Sequence, residues 1–112
     1  MKLKSHKIEG IDFRAAKLIG GTIIPTIVVL HDTAGRLTKF NSRDYLATNA
    51  AASVHFVVER DGTVSQLVQT NRRAGHAGQS SYHGRTGCND FSIGIEIVNP
   101  GKLTRGVGGA AL

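Results

Sequence analysis

Four apolar residues, Ile27-Val28-Val29-Leu30, run straight into His31, and Asp32-Thr33 with Gly35 then end the run. A short apolar run closed by turn residues reads as a buried strand. Val28 and Val29 are β-branched and suit a pleated surface. The expectation is a rigid central strand that carries an imidazole at its end. That side chain could face a cleft from an anchored backbone, or it could simply cap the strand by hydrogen bonding.

The clearest local structure lies downstream. Ser53–Arg60 (SVHFVVER) reads as a strand, Asp61-Gly62 as a hairpin turn, and Thr63–Val68 (TVSQLV) as the returning strand. Phe91–Val98 (FSIGIEIV) is a further strand. On it Ser92, Gly94, Glu96 and Val98 share one face, and Phe91, Ile93, Ile95 and Ile97 share the other. The isoleucine face is expected to be core, which leaves Glu96 on the opposite side with small neighbours and room beside it. Thr22–Leu30 is strand material with Pro25 at a kink or edge, and Gly20-Gly21 marks a turn. Ile8, Ile11 and Phe13 could pack onto the domain. Asn41 or Ser42 can cap a short helix over about residues 43–48, with Tyr45 and Leu46 inward. Residues 69–90 lack periodicity and contain His76, His83 and Arg85. A structureless connection of that length is unusual in a small domain unless it is functional.

A chain of 112 residues points to one domain with a modest core. The formal charge of +6, from 14 basic and 8 acidic residues, favours anionic partners. The basic residues are scattered, with neither a basic helix nor aromatics among arginines, so no nucleic-acid partner is expected. No apolar stretch is long enough to span a membrane, and no apolar segment follows the basic start as a secretory signal requires. Cys88 is the single cysteine, so no internal disulfide forms, and it reads as a small packing residue. After Asn99-Pro100-Gly101 the sequence loses definition, and no long amphipathic helix is present to cover the sheet. Residues 1–112 therefore read as a single domain, N-terminal in character, that lacks a C-terminal helical part.

Five histidines (His6, His31, His55, His76, His83) and the strand-borne Glu96 raise the question of a metal. Catalytic zinc takes three protein ligands and one water, and a neighbouring carboxylate then serves as base. His31 and Glu96 suit the two roles, but no HExxH motif or CxxC pair is present. Glu96 is equally compatible with a surface salt bridge, and His55 with a half-buried strand histidine.

Taken together, IVVLHDT (27–33), SVHFVVERDGTVSQLV (53–68), RAGHAG (73–78) and CNDFSIGIE (88–96), in this order and spacing, resemble the zinc-dependent N-acetylmuramoyl-L-alanine amidases of the amidase-2 and peptidoglycan-recognition-protein type. The resemblance covers about residues 23–101. It implies an α/β fold, a mixed central β-sheet with flanking helices, and zinc at the bottom of a groove. It implies that His31 is a zinc ligand and that Glu96 is the general base. His55, His76, Arg85 and Asn89 fall at or near substrate-contacting positions. The implied activity is hydrolysis of the N-acetylmuramoyl–L-alanine amide in peptidoglycan or a muropeptide. A catalytically inactive muropeptide-binding module is the alternative. The implied location is the cytoplasm, or the cell wall for a released phage endolysin. The family's other two zinc ligands lie further downstream, and no residue here matches them.

Overall fold

The structure, a computed structural model, describes residues 2–33, 37–78 and 80–100. Gly35, expected with Asp32-Thr33 to end the first apolar run, and the poorly patterned tail after Pro100 lie outside the described residues. In chain order the strands are β1 (Leu3–Lys4), β2 (Lys7–Ile8), β3 (Asp12–Phe13), β4 (Ile27–Asp32), β5 (Phe56–Val58), β6 (Val64–Gln66), β7 (Ser81–Tyr82), β8 (Arg85–Thr86) and β9 (Ser92–Ile97). One helix, α1 (Asn41–Thr48), joins β4 to β5. The body is a five-stranded mixed sheet in the order β3-β6-β5-β9-β4. β1–β2 and β7–β8 form separate two-stranded ribbons.

The expected hairpin is present. β5 and β6 pair antiparallel with Val57 opposite Ser65. At the turn, Glu59 N donates to Thr63 O (2.8 Å) and Gly62 N to Glu59 O (3.0 Å). The Asp61 carboxylate accepts from Thr63 N at 2.9 Å. Gly62 sits at φ +88, where a side chain would be strained.

β9 is an interior strand, parallel to both β4 and β5. This corrects the place of the apolar run. β4 is an edge strand rather than a central one, and it continues through His31 and Asp32 instead of stopping at Leu30. Only alternate residues are shielded: Val28 is 58% and Leu30 64% exposed. A continuous apolar run looks the same whether both faces are covered or one, so the pattern overstated its burial.

The face assignment of β9 is corrected as well. Ser92 and Gly94 are buried, Ile93 and Ile95 are intermediate, and Ile97 is exposed. Val57, Leu67, Val68, Val54, Ala74 and Val98 form the core with Ala16 and Ala47. Val57 lies opposite Glu96, and Val98 follows it by two residues, so this core lies on the Ser92–Gly94–Glu96 side. The small residues are buried because the 72–77 segment closes over them.

Helix α1 also departs from expectation. Its N-cap is Phe40, left-handed at φ 67, with no side-chain cap from Asn41 or Ser42. Phe40 N donates instead to Glu59 Oε1 across the sheet (3.2 Å). Arg43 stacks 3.9 Å from the Phe40 ring centroid and pairs with Asp12 at 2.9 Å, which ties the helix to β3. Ala47 is the buried residue and Leu46 is partly buried against the core, whereas Tyr45 is exposed. The 69–90 stretch is not structureless. It holds β7, β8 and a 3-10 turn at Cys88–Asp90, elements too short to leave a periodic signal. Cys88 is buried and free, as a packing residue should be.

The two sides of the sheet predict opposite responses to truncation. Leu67→Ala in the core should cost about 2–5 kcal/mol. Leu30→Ala on the open side should stay within about 0.5 kcal/mol. Urea denaturation of the two variants measures both, and equal losses would refute the one-sided core.

Candidate functional site

The parallel register of β4 on β9 sets His31 opposite Glu96. Both side chains leave the sheet on the core side, at the end where the core gives way to solvent. Glu96 is half-buried, and among the described residues its carboxylate accepts no side-chain or backbone hydrogen bond. It lines a cavity of about 200 Å³ with Asp32, Thr33, Ser42, Tyr45 and Leu46. Burial raises its pKa above the ordinary carboxylate value, and the nearby Asp32 charge adds to the rise.

His76 lies beside them. Its Nδ1 is 3.0 Å from His31 Nε2, and the two rings meet edge to face with centroids 5.2 Å apart. Its Nε2 is 2.9 Å from Ser92 Oγ. The ring occupies the space above Gly94: a Cβ there would fall 2.6 Å from Cδ2 and 2.7 Å from Nδ1. The room expected beside Glu96 is thus partly taken by His76, and Gly94 is required for it. Burial first, then the neighbouring His31 and His55, hold the His76 pKa down to about 4. Burial lowers the His31 pKa too.

The segment carrying His76 is held by buried polar groups. Ser53 N donates to Gly75 O (3.1 Å), and Ser53 Oγ accepts from Gly75 N (2.9 Å). Asn89 Oδ1 accepts from the backbone N–H groups of His76 (3.1 Å) and Ala77 (2.9 Å). Asn89, expected at a substrate contact, is only 5% exposed and shapes this turn. His55, expected there too, is fully buried. Its Nε2 donates to Arg72 O (2.7 Å) and its Nδ1 accepts from Gly94 N (3.0 Å), so neither ring nitrogen is left for a ligand. A strand alternation that includes His55 could not show that both nitrogens would find backbone partners. Arg85 is exposed on β8, its guanidinium 3.9 Å above the Phe91 ring centroid. A larger cavity, about 660 Å³, is lined by Gly78, Ser80, Ser81, Thr86 and Gly87 and reaches neither His31 nor Glu96. Ser92 and Gly94 were not among the expected site residues. Their only sequence signal is small size on the Glu96 face.

The family described as N-acetylmuramoyl-L-alanine amidase matches residues 21–110. The chain belongs to the N-acetylmuramoyl-L-alanine amidase family. Among relatives, the 1,6-anhydro-N-acetylmuramyl-L-alanine amidase AmpD of Citrobacter freundii is 49% identical over 65 residues, 56% of this chain and 35% of that protein. The Escherichia coli K12 AmpD is 56% identical over 51 residues, 46% of this chain and 28% of that protein. The matched part of the chain therefore spans about a third of these relatives' length. A solved AmpD, a selenomethionine derivative, superposes with a TM-score of 0.80 at 28% identity, covering 88% of this chain and 66% of that one. The E. coli amidase AmiD, solved with anhydro-N-acetylmuramic acid-L-Ala-D-γ-Glu-L-Lys, superposes at 0.59 with 29% identity, over 95% of this chain and 38% of that one. The mixed sheet and its helix are thus those of the amidase family.

Two outcomes test the site. Gly94→Ala should displace the His76 ring and cost about 1–3 kcal/mol by overpacking. Unchanged stability with an intact His31–His76 contact by NMR would contradict the close approach. The second outcome concerns pH. His31, His55 and His76 all titrate below the ordinary 6.5 in the folded chain. Between pH 6.5 and about 4 the unfolded chain therefore holds more protons, and stability must fall as pH falls through that window. Glu96, shifted upward, works in the opposite sense, but it is one group against three. Urea midpoints at pH 7.5 and 5 measure the net effect, and a midpoint that rises on acidification would contradict it.

Proposed function

We propose that this chain carries the general-base side of a peptidoglycan amidase site that cleaves the N-acetylmuramoyl–L-alanine amide. The observation that supports this most directly is Glu96: a half-buried carboxylate with a raised pKa and a free acceptor face, opposite His31 on the neighbouring strand. In this reading Glu96 takes a proton from water as the water oxygen bonds to the amide carbon. It then returns that proton to the alanine nitrogen as the C–N bond breaks. A carboxylate poised above its ordinary pKa serves both transfers better than an exposed one. The names of the AmpD relatives favour a 1,6-anhydro muropeptide as substrate, and a recycled fragment of that kind goes with a cytoplasmic setting. Among the described residues no helix is long and apolar enough to cross a membrane. Arg85 and the positive net charge suit the carboxylates of a muropeptide stem. Asn89 and His55 serve the site by holding His76 and Gly94.

Zinc is the cofactor that the family resemblance implies. It would polarise the scissile carbonyl and lower the pKa of bound water. The described residues do not by themselves fit such a centre. No three His, Cys, Asp or Glu side chains among them are grouped to hold a metal, whereas catalytic zinc takes three protein ligands. His31 fits as one. The second reading is a muropeptide-binding module that cuts nothing.

Release of the stem peptide from a 1,6-anhydro muropeptide separates the readings. Hydrolysis that Glu96→Gln lowers by about 10²–10⁴-fold, with muropeptide affinity retained, supports the amidase. Near-normal turnover by that variant removes Glu96 from the chemistry. Binding without release by the unmodified chain supports the module. The pH profile should lose activity on acidification at a higher pH than an ordinary glutamate would impose, because only the carboxylate form accepts the proton.

A further inference from the structure

The hydrogen bonds around His76 have a determined direction. Ser92 Oγ lies 2.6 Å from Cys88 O. Two oxygen lone pairs do not sit that close without a proton between them, and the carbonyl has none to give. The hydroxyl proton therefore points at Cys88 O. Ser92 Oγ must then accept at its other contact, the 2.9 Å approach of His76 Nε2. Nε2 of His76 carries a hydrogen, and in the neutral ring Nδ1 carries a lone pair. The 3.0 Å contact to His31 follows: His31 Nε2 donates and His76 Nδ1 accepts. Ser92 is fully buried, so no water competes for the hydroxyl.

We propose that Ser92 is a positioning residue that fixes His76 in the Nε2–H tautomer, so that Nδ1 faces the site as an acceptor and selects a ligand group that donates a hydrogen bond. The rotation of the ring is fixed as well. Nε2 is anchored on Ser92, the ring plane lies against Gly94, and the backbone on either side of the ring is held through Asn89. A flip about the Cβ–Cγ bond would remove Nε2–H from Ser92 and leave a buried hydroxyl without its donor, which a low-dielectric interior penalises. In the unliganded chain the donor is His31. The assignment of a ligand rests on the amidase reading above: the donor on a muropeptide would be an amide N–H or a sugar hydroxyl, and an ether or ester at that place would be refused.

Nitrogen-15 long-range NMR of the histidine rings in the metal-free chain reads the tautomer directly. The expected result is a protonated Nε2 and an unprotonated Nδ1 for His76. Ser92→Ala should convert the signal to a mixture or to the other tautomer, and Ser92→Thr, which keeps the hydroxyl, should restore it. A protonated Nδ1 in the unmodified protein overturns the proposal whether or not any variant folds. So does an unchanged tautomer in a folded Ser92→Ala. The ligand clause is tested by titrating a 1,6-anhydro muropeptide into the unmodified chain and Ser92→Ala. The expected loss is about tenfold in affinity, the scale of one hydrogen bond. Equal affinities overturn that clause. Absence of muropeptide binding by the unmodified chain would defeat the functional reading while leaving the tautomer result standing.

Discussion

The parallel pairing of β4 with β9 is the contact on which the site depends. It joins residues more than sixty positions apart, from Ile27 opposite Ser92 to Asp32 opposite Ile97. His31 and Glu96 become neighbours only in this register. A shift by one residue would turn Glu96 to the opposite face and put Ile95 or Ile97 beside His31. β9 is in turn held on its other side by β5, with Val57 opposite Glu96 and fully buried. The hairpin therefore does more than close a turn: through Val57 it anchors the strand that carries the carboxylate.

The second constraint is the polar scaffold under the 72–77 segment. Ser53, His55, Asn89 and Ser92 are all nearly or fully buried. Each spends its side chain on backbone or on another ring. Buried polar groups are tolerated when satisfied in this way, and they then specify one arrangement, because any other leaves a group without a partner. The segment has no regular secondary structure of its own, so this network replaces a strand ladder. It explains why a loop can present His76 as firmly as a strand presents His31.

Val28, Leu30 and Ile97 form an apolar strip on the far side of the sheet, each more than a third exposed. Their exposure and the burial of Ser92 and Gly94 reverse what hydropathy alone suggests for β9. Alternation states that two faces differ; it does not state which face the remaining chain covers. Here the answer came from His76, a residue 18 positions before Gly94, lying against a glycine that accepts it because it has no Cβ.

The resemblance of four motifs to known amidases pointed to the family. Local chemistry by itself determined the hairpin at Asp61-Gly62 and the strand character of the runs ending in His31 and carrying Glu96. These follow from turn preferences, side-chain periodicity and residue order, all of which act over a few neighbours or along the chain. Tertiary structure alone decided that β4 is an edge, that Tyr45 faces out while Ala47 faces in, and that His55 and Asn89 are buried with their side chains bonded to backbone groups. It also set His76 Nε2 against Ser92 Oγ and His76 Nδ1 against His31. Each of these depends on a partner distant in sequence: β9 for β4, the core for Ala47, Arg72 O and Gly94 N for His55, and the Ser92 hydroxyl for His76. No pattern along the chain records where such a partner will lie.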